Sequence, residues 1–358
     1  MAAGIFSIGA LPRLPLGATL ALPADIAVGL IWLATAAALA GSAWRRGGIA
    51  NRTESVIESF GIGTWVAGTA VLARILMLAA PKDPWPARIA FLLSIGLWLW
   101  FVPRAVANLV RLARSRRRPN GIVLLSTVAT QAIALIALRL FPASPAVSGA
   151  VAALMGLGAG FYAWAAFLVV RGHIAGGWRL ASDWANGNCI LHGALSITGL
   201  TMVASGRFGE AAILVYWEAV IAVFAAVEAI EIARLAARVR EQGWRRAILV
   251  YDVSQWARNF TFGMFYAFTL AFRQVYPGRD PLRDAIVACG SYVVLALLIA
   301  EAGLLAATAA RRGAAAAQMA APPSPGERGA RSRDAAPAAR GSTGRARPAR
   351  PRSPPETG

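Results

Sequence analysis

Nine stretches of about twenty mostly apolar residues run along this chain, at 26–44, 60–80, 87–110, 121–140, 146–170, 189–205, 211–234, 256–275 and 285–309. A helix of about twenty apolar residues crosses the hydrocarbon core of a bilayer. In lipid each backbone polar group must be satisfied within its own segment, so runs this long are expected to be helical. A weaker run at 2–20 carries Pro12, Arg13 and Pro15. It lacks a charged start and a small-residue cleavage site, so it reads as a first helix and not as a signal peptide. The expected fold class is an all-α polytopic membrane protein of about ten transmembrane helices, paired as five hairpins. Only 15% of the residues are charged and 57% are hydrophobic, against a norm of about 25% charged for soluble domains. A cytosolic enzyme is excluded on that ground.

Loop charge sets the expected direction. With ten spans and both termini cytoplasmic, seventeen arginines fall in inside loops and seven basic residues in outside loops. That bias places the chain in the plasma or inner membrane as a multi-pass protein. The transmembrane domain is expected over 1–310. The tail, 311–358, is rich in Arg, Pro and Ala and has no apolar period. It is expected to be a disordered cytoplasmic segment. Nothing in this charge pattern calls for a nucleic-acid partner.

Numbered along the chain, with 2–20 as the first, odd and even runs differ. Even runs are broadly oily, as in Trp98-Leu99-Trp100-Phe101. Odd runs carry small and hydroxyl residues, among them Gly63, Thr64, Gly68, Thr127, Thr130, Gln131, Gly193, Thr198, Thr261 and Thr269. Small residues let helices approach closely, and hydroxyls need partners away from lipid. The odd runs are therefore either simply the buried helices of a bundle or the walls of a narrow path.

Three segments carry a resemblance: Asn120-Gly121 through Val128-Ala129-Thr130-Gln131, then Gly193-Ala194-Leu195-Ser196-Ile197-Thr198, then Tyr251-Asp252 followed by Trp256 and Phe260-Thr261-Phe262-Gly263-Met264. In this order they resemble the tellurite-resistance/C4-dicarboxylate transporter family, which includes malate permeases and plant slow anion channels. The resemblance implies five hairpins around a central pore, with odd helices inside and a phenylalanine gate at Phe260. It also implies a homotrimer with one pore per subunit, and no cofactor. The expected function is transport of small anions, whether chloride- or nitrate-like, tellurite- or sulfite-like, or C4-dicarboxylates. A proton-coupled dicarboxylate carrier is the first alternative, and a membrane-embedded enzyme the second. Two family prolines are replaced here, by Ser126 and Thr261.

Phe260 is the candidate gate, or else a packing aromatic. Thr64, Thr127, Thr130, Gln131, Thr198, Thr261 and Thr269 are candidates to line the pore, with an interhelical bond as the other reading of Gln131. Arg74 and Arg139 end runs three and five, and either form a cationic vestibule or snorkel to headgroups. Glu218 lies eight residues inside run eight, where a carboxylate is costly. It is read as a bond to an inner helix or as a proton carrier. Glu228, Glu231 and Glu301 should pair with arginines such as Arg234 or Arg258. His192 either titrates or is hydrogen-bonded and silent. Two histidines and two cysteines supply no metal site and no enzyme-like cluster.

Overall fold

A computed structural model describes residues 1–45, 56–115, 117–175 and 177–320. The chain divides into two units, 1–308 and 309–358. Within the second, helix continues to Ala320. The rest of the expected disordered tail lies outside the described residues.

All described regular structure is helical. A short α1, Ala2–Ile5, continues as a π turn over Phe6–Ala10 and a 3-10 turn over Leu11–Arg13. The long helices are α2 Gly17–Arg45, α3 Ile62–Ala79, α4 Trp85–Arg114, α5 Leu125–Leu140 and α6 Pro145–Ile174. They continue as α7 Ile190–Ser205, α8 Glu210–Gln242, α9 Trp256–Val275 and α10 Pro281–Ala320.

Eight of the helices described are long and apolar enough to cross a membrane. The expected tenth run is a correction. Pro15 forces the preceding Leu14 into extended backbone, with ψ 154°. The helical segment therefore stops at Arg13, about 18 Å long at 1.5 Å per residue and too short to span. Residues 17–20 belong to α2, which starts nine residues earlier than expected. The run at 256–275 is a full helix, but Arg258, Asn259, Arg273 and Gln274 lower its hydropathy below that of the eight.

Burial separates the helices as composition does. In the most apolar stretches of α5 and α7, 83% and 72% of residues are buried, against 22% in α8 and 6% in α10. Residues 1–13 pack on α3 and α9, α3 on α5, α5 on α7, and α7 on α9, so five segments close a ring in chain order. Among the even helices, α4 lies against α3 and α5, α6 against α5 and α7, and α8 against α7. The outward faces keep apolar side chains such as Leu30, Leu92, Leu99 and Ile299 exposed. Such a surface suits lipid and not water.

The close crossings rest on glycine. A Cβ on Gly193 would lie 2.3 Å from Thr261 Cγ2, so α7 and α9 meet only because none is there. α5 and α7 are both preceded by Asn-Gly and a 3-10 turn, at Gly121–Leu124 and Asn186–Cys189. There the Gly121 N–H donates to Asn188 Oδ1 at 2.8 Å, tying the starts of the two helices together.

Candidate functional site

The inner face of the ring lines a half-open cavity of about 290 Å³. Its wall comes from residues 5–13, α3, α5, α7 and α9, with no residue of an even helix. On α9 the lining residues Met264, Ala267, Ala271 and Gln274 recur every three or four positions, which is one helix face. α5 contributes Ala132, Ile136 and Arg139 in the same way, and α3 contributes Ala70, Val71 and Arg74.

The polar groups of this wall are mostly cationic. Arg13, Arg74 and Arg139 all line the cavity, and no acidic side chain does. None of the three makes a salt bridge among the described residues. Three guanidiniums in one concave, low-dielectric space raise the local concentration of anions. Sequence reasoning paired Arg74 with Arg139 but missed Arg13. The available signal was a shared position, since Arg13 and Arg139 lie in the last turn of their segments and Arg74 lies in the final third of α3.

Phe260 is not among the residues that line the cavity; it lies four residues, about one turn, beyond Met264 on the same face of α9. It is 2% exposed. Phe262 points elsewhere, with its ring 5.0 Å from Phe224 of α8 and 6.1 Å from His192 of α7. Phe265 stacks on the same Phe224. Helical periodicity puts Phe260, and not Phe262, in line with Met264 and Ala271.

The polar lining candidates are placed differently from the arginines. None of Thr64, Thr127, Thr130, Gln131, Thr198, Thr261 and Thr269 lines the cavity. Trp98 Nε1–H of α4 donates to Thr130 Oγ1 at 3.0 Å, and Trp217 Nε1–H of α8 donates to Thr269 Oγ1 at 3.0 Å. Gln131 Nε2 donates to the Met155 carbonyl of α6 at 3.3 Å. These three side chains join the inner ring to the outer helices. Thr198 and Thr261 donate to carbonyls of their own helices, at Ala194 and Arg258. Thr127 is buried with no hydrogen-bond partner for its hydroxyl. Thr64 lies seven residues from Val71, two turns along α3 on nearly the same face. The physical reason is that a buried hydroxyl or amide is satisfied most cheaply by a neighbouring helix or its own backbone.

Glu218 is a further correction. It is exposed on α8, whose buried face carries Ile213, Trp217 and Val220. It makes no bond to an inner helix among the described residues.

An ionic cluster occupies the opposite end of α9 from Gln274. Arg258 Nη2 lies 2.9 Å from Glu231 Oε2, and Arg258 Nε lies 3.7 Å from Glu228 Oε2. Arg234 lies 3.2 Å from Glu231, and Trp184 Nε1–H donates to Glu231 at 2.8 Å. His192 Nε2 is 3.5 Å from Glu228 Oε1. Just before α9, Asp252 Oδ1 accepts from the Ser254 N–H at 2.8 Å, while Gln255 Oε1 accepts from the Asp252 N–H at 2.9 Å. The Ser254 hydroxyl and N–H hold the Asp252 carboxyl below the usual range. Among the described residues no group of three His, Cys, Asp or Glu is placed to hold a metal ion.

Compared with protein-family models, curated proteins and solved structures, the chain matches none of them.

Proposed function

We propose that this chain moves small anions across a membrane along the axis of its inner ring. On this reading it is a ten-helix relative of the tellurite-resistance/C4-dicarboxylate transporters, counting 1–13 as a shortened first helix. It is not an enzyme. Phe260 closes the path, and Arg13, Arg74 and Arg139 form a vestibule that gathers anions. Positive-inside orientation puts the vestibule outside and both termini in the cytoplasm of the plasma or inner membrane. The subunits would assemble as homotrimers, each with its own path.

The observation that carries this reading is the cavity itself. Its wall is drawn only from odd-numbered segments, it holds three guanidiniums that make no salt bridge among the described residues, and no carboxylate lines it. A path for cations would carry the opposite charge pattern.

The test is flux into proteoliposomes, with chloride, nitrate, sulfite and malate offered in turn. Anion flux above protein-free vesicles is expected. Arg74→Gln and Arg139→Gln should each lower it several-fold at low salt, and less at high salt as the field is screened. Absence of flux for every anion, or flux of cations in its place, would overturn the reading.

A further inference from the structure

His192 is fully buried, yet among the described residues neither ring nitrogen closes a hydrogen bond of good geometry. Its neighbour Glu228 is shared. One carboxylate oxygen lies 3.5 Å from His192 Nε2 on α7, and the other lies 3.7 Å from Arg258 Nε on α9. Among the described residues Glu228 Oε1 and Arg258 Nε also lack hydrogen-bond partners. One carboxylate of α8 therefore stands between two helices without closing on either.

We propose that Glu228 is a proton-controlled latch on the Phe260 end of α9. Proton uptake by His192 draws the Glu228 carboxylate toward α7 and away from Arg258. This rests on the anion-path reading, and it adds a regulation to that path.

The chemistry follows from the contact distances. A neutral imidazole at 3.5 Å gains little from a carboxylate. An imidazolium makes a charge-assisted bond of about 2.7–2.9 Å, roughly twice as strong as a neutral one. Closing it pulls Glu228 from Arg258, which then holds α8 through Glu231 alone. Arg258 is two residues from Phe260. The His192 ring also lies edge-on to Phe262 of α9 and Phe224 of α8, at 6.1 and 4.6 Å. A shift of the imidazole therefore reaches α9 on both sides of the gate.

Charged groups of both signs surround the His192–Glu228 pair. From α8 come Glu228, Glu231 and Arg234, from α9 Arg258, and from α10 Glu301, which interacts with Arg258. Asp252 and Arg238 complete the cluster at its edge. Among these groups carboxylates outnumber guanidiniums by one. α5 brings no ionisable group to this end, since its sole charge is Arg139 in the vestibule. On α6, Arg171 is bonded to the Leu112 and Ala113 carbonyls, and His173 packs on Trp178 and Trp184.

Two readouts on untagged protein test the latch. The chain has two histidines, so in His173→Phe the single imidazole carbon resonance belongs to His192. That resonance should shift as pH is lowered, and in Glu228→Gln on the same background it should stay at its neutral position. Anion flux in proteoliposomes, with equal pH on both faces, should rise as pH falls, by at most about tenfold per unit for one site. His192→Phe and His192→Gln should flatten that slope, and His173→Phe should keep it. A resonance that never titrates, or a slope that survives both His192 variants, would overturn the latch. Wild-type protein that titrates at His192 but carries no anion would instead refute the transport reading and leave the His192–Glu228 proton supported.

Discussion

Gly193→Ala adds one methyl group where α7 and α9 cross closely in the inner ring. The new Cβ would stand 2.3 Å from Thr261 Cγ2, 2.8 Å from Thr261 Cβ and 3.3 Å from Thr261 Cα. Carbon atoms prefer about 3.5–4.0 Å, so α7 and α9 must part by roughly 1 Å or Thr261 must leave its rotamer. Overpacking of this kind costs about 1–3 kcal/mol. Gly156→Ala on the exposed face of α6 is the control, because its Cβ meets nothing within 4 Å. That change should gain up to about 1 kcal/mol from helix propensity. Thermal unfolding in detergent reads both. Thr261→Gly removes the two closest atoms, so a double-mutant cycle should recover about 1–3 kcal/mol of coupling. The wedge also pushes the residue next to Phe260, so Gly193→Ala should raise basal flux. A Gly193→Ala protein as stable as Gly156→Ala, or one that shows no coupling to Thr261, would refute the crossing.

Two further outcomes follow from the same geometry. With Cys189 and Cys289 replaced, cysteines at Ile136 and Ala267 should react with small water-soluble thiol reagents, while cysteines at Thr130, Thr269 and lipid-facing Leu93 should not; equal labelling of both sets would remove the lumen. Asp252→Ala should cost about 0.5–2 kcal/mol at neutral pH, as for a lost cap. Because the folded carboxyl is depressed, its contribution is present above about pH 3.9 and is lost as pH falls through the lower folded value. The stability gap between wild type and Asp252→Ala should therefore close only in strong acid, and a gap that closes at pH 6 would contradict this.

Much of the bundle was legible because hydrophobic length and small-residue content are local properties. Gly63, Gly193 and the hydroxyls marked the odd helices as the buried ones, and those helices form the ring. The segment 2–20 failed on a single dipeptide, where Pro15 sets the backbone of Leu14 and ends the helix at Arg13. The polar lining failed for a different reason. A threonine on an inner helix has several faces to choose from, and Thr130 and Thr269 turn outward to Trp98 and Trp217. Composition states that a helix is inner but not which of its stripes faces the axis. The angular positions of Met264, Ala267 and Ala271 were present in the sequence, yet apolar residues gave no reason to single them out. Glu218 was assigned from depth alone, and depth carries no information about which side of α8 it occupies.

The central claim is that an anion path runs through the ring and is closed by Phe260. Current through lipid bilayers carrying Phe260→Ala tests it most directly, with Phe262→Ala as the control turned about 200° around the same helix. If the Phe260 ring plugs the path, its removal should raise basal anion current while yield and oligomer state stay near wild type. Phe262→Ala, which strips a ring from Phe224 and His192, should lose stability without gaining current. If Phe260 is only packing, its truncation should cost about 3–5 kcal/mol as a cavity. Reduced yield at both positions, with a gain of anion current at neither, would contradict the account.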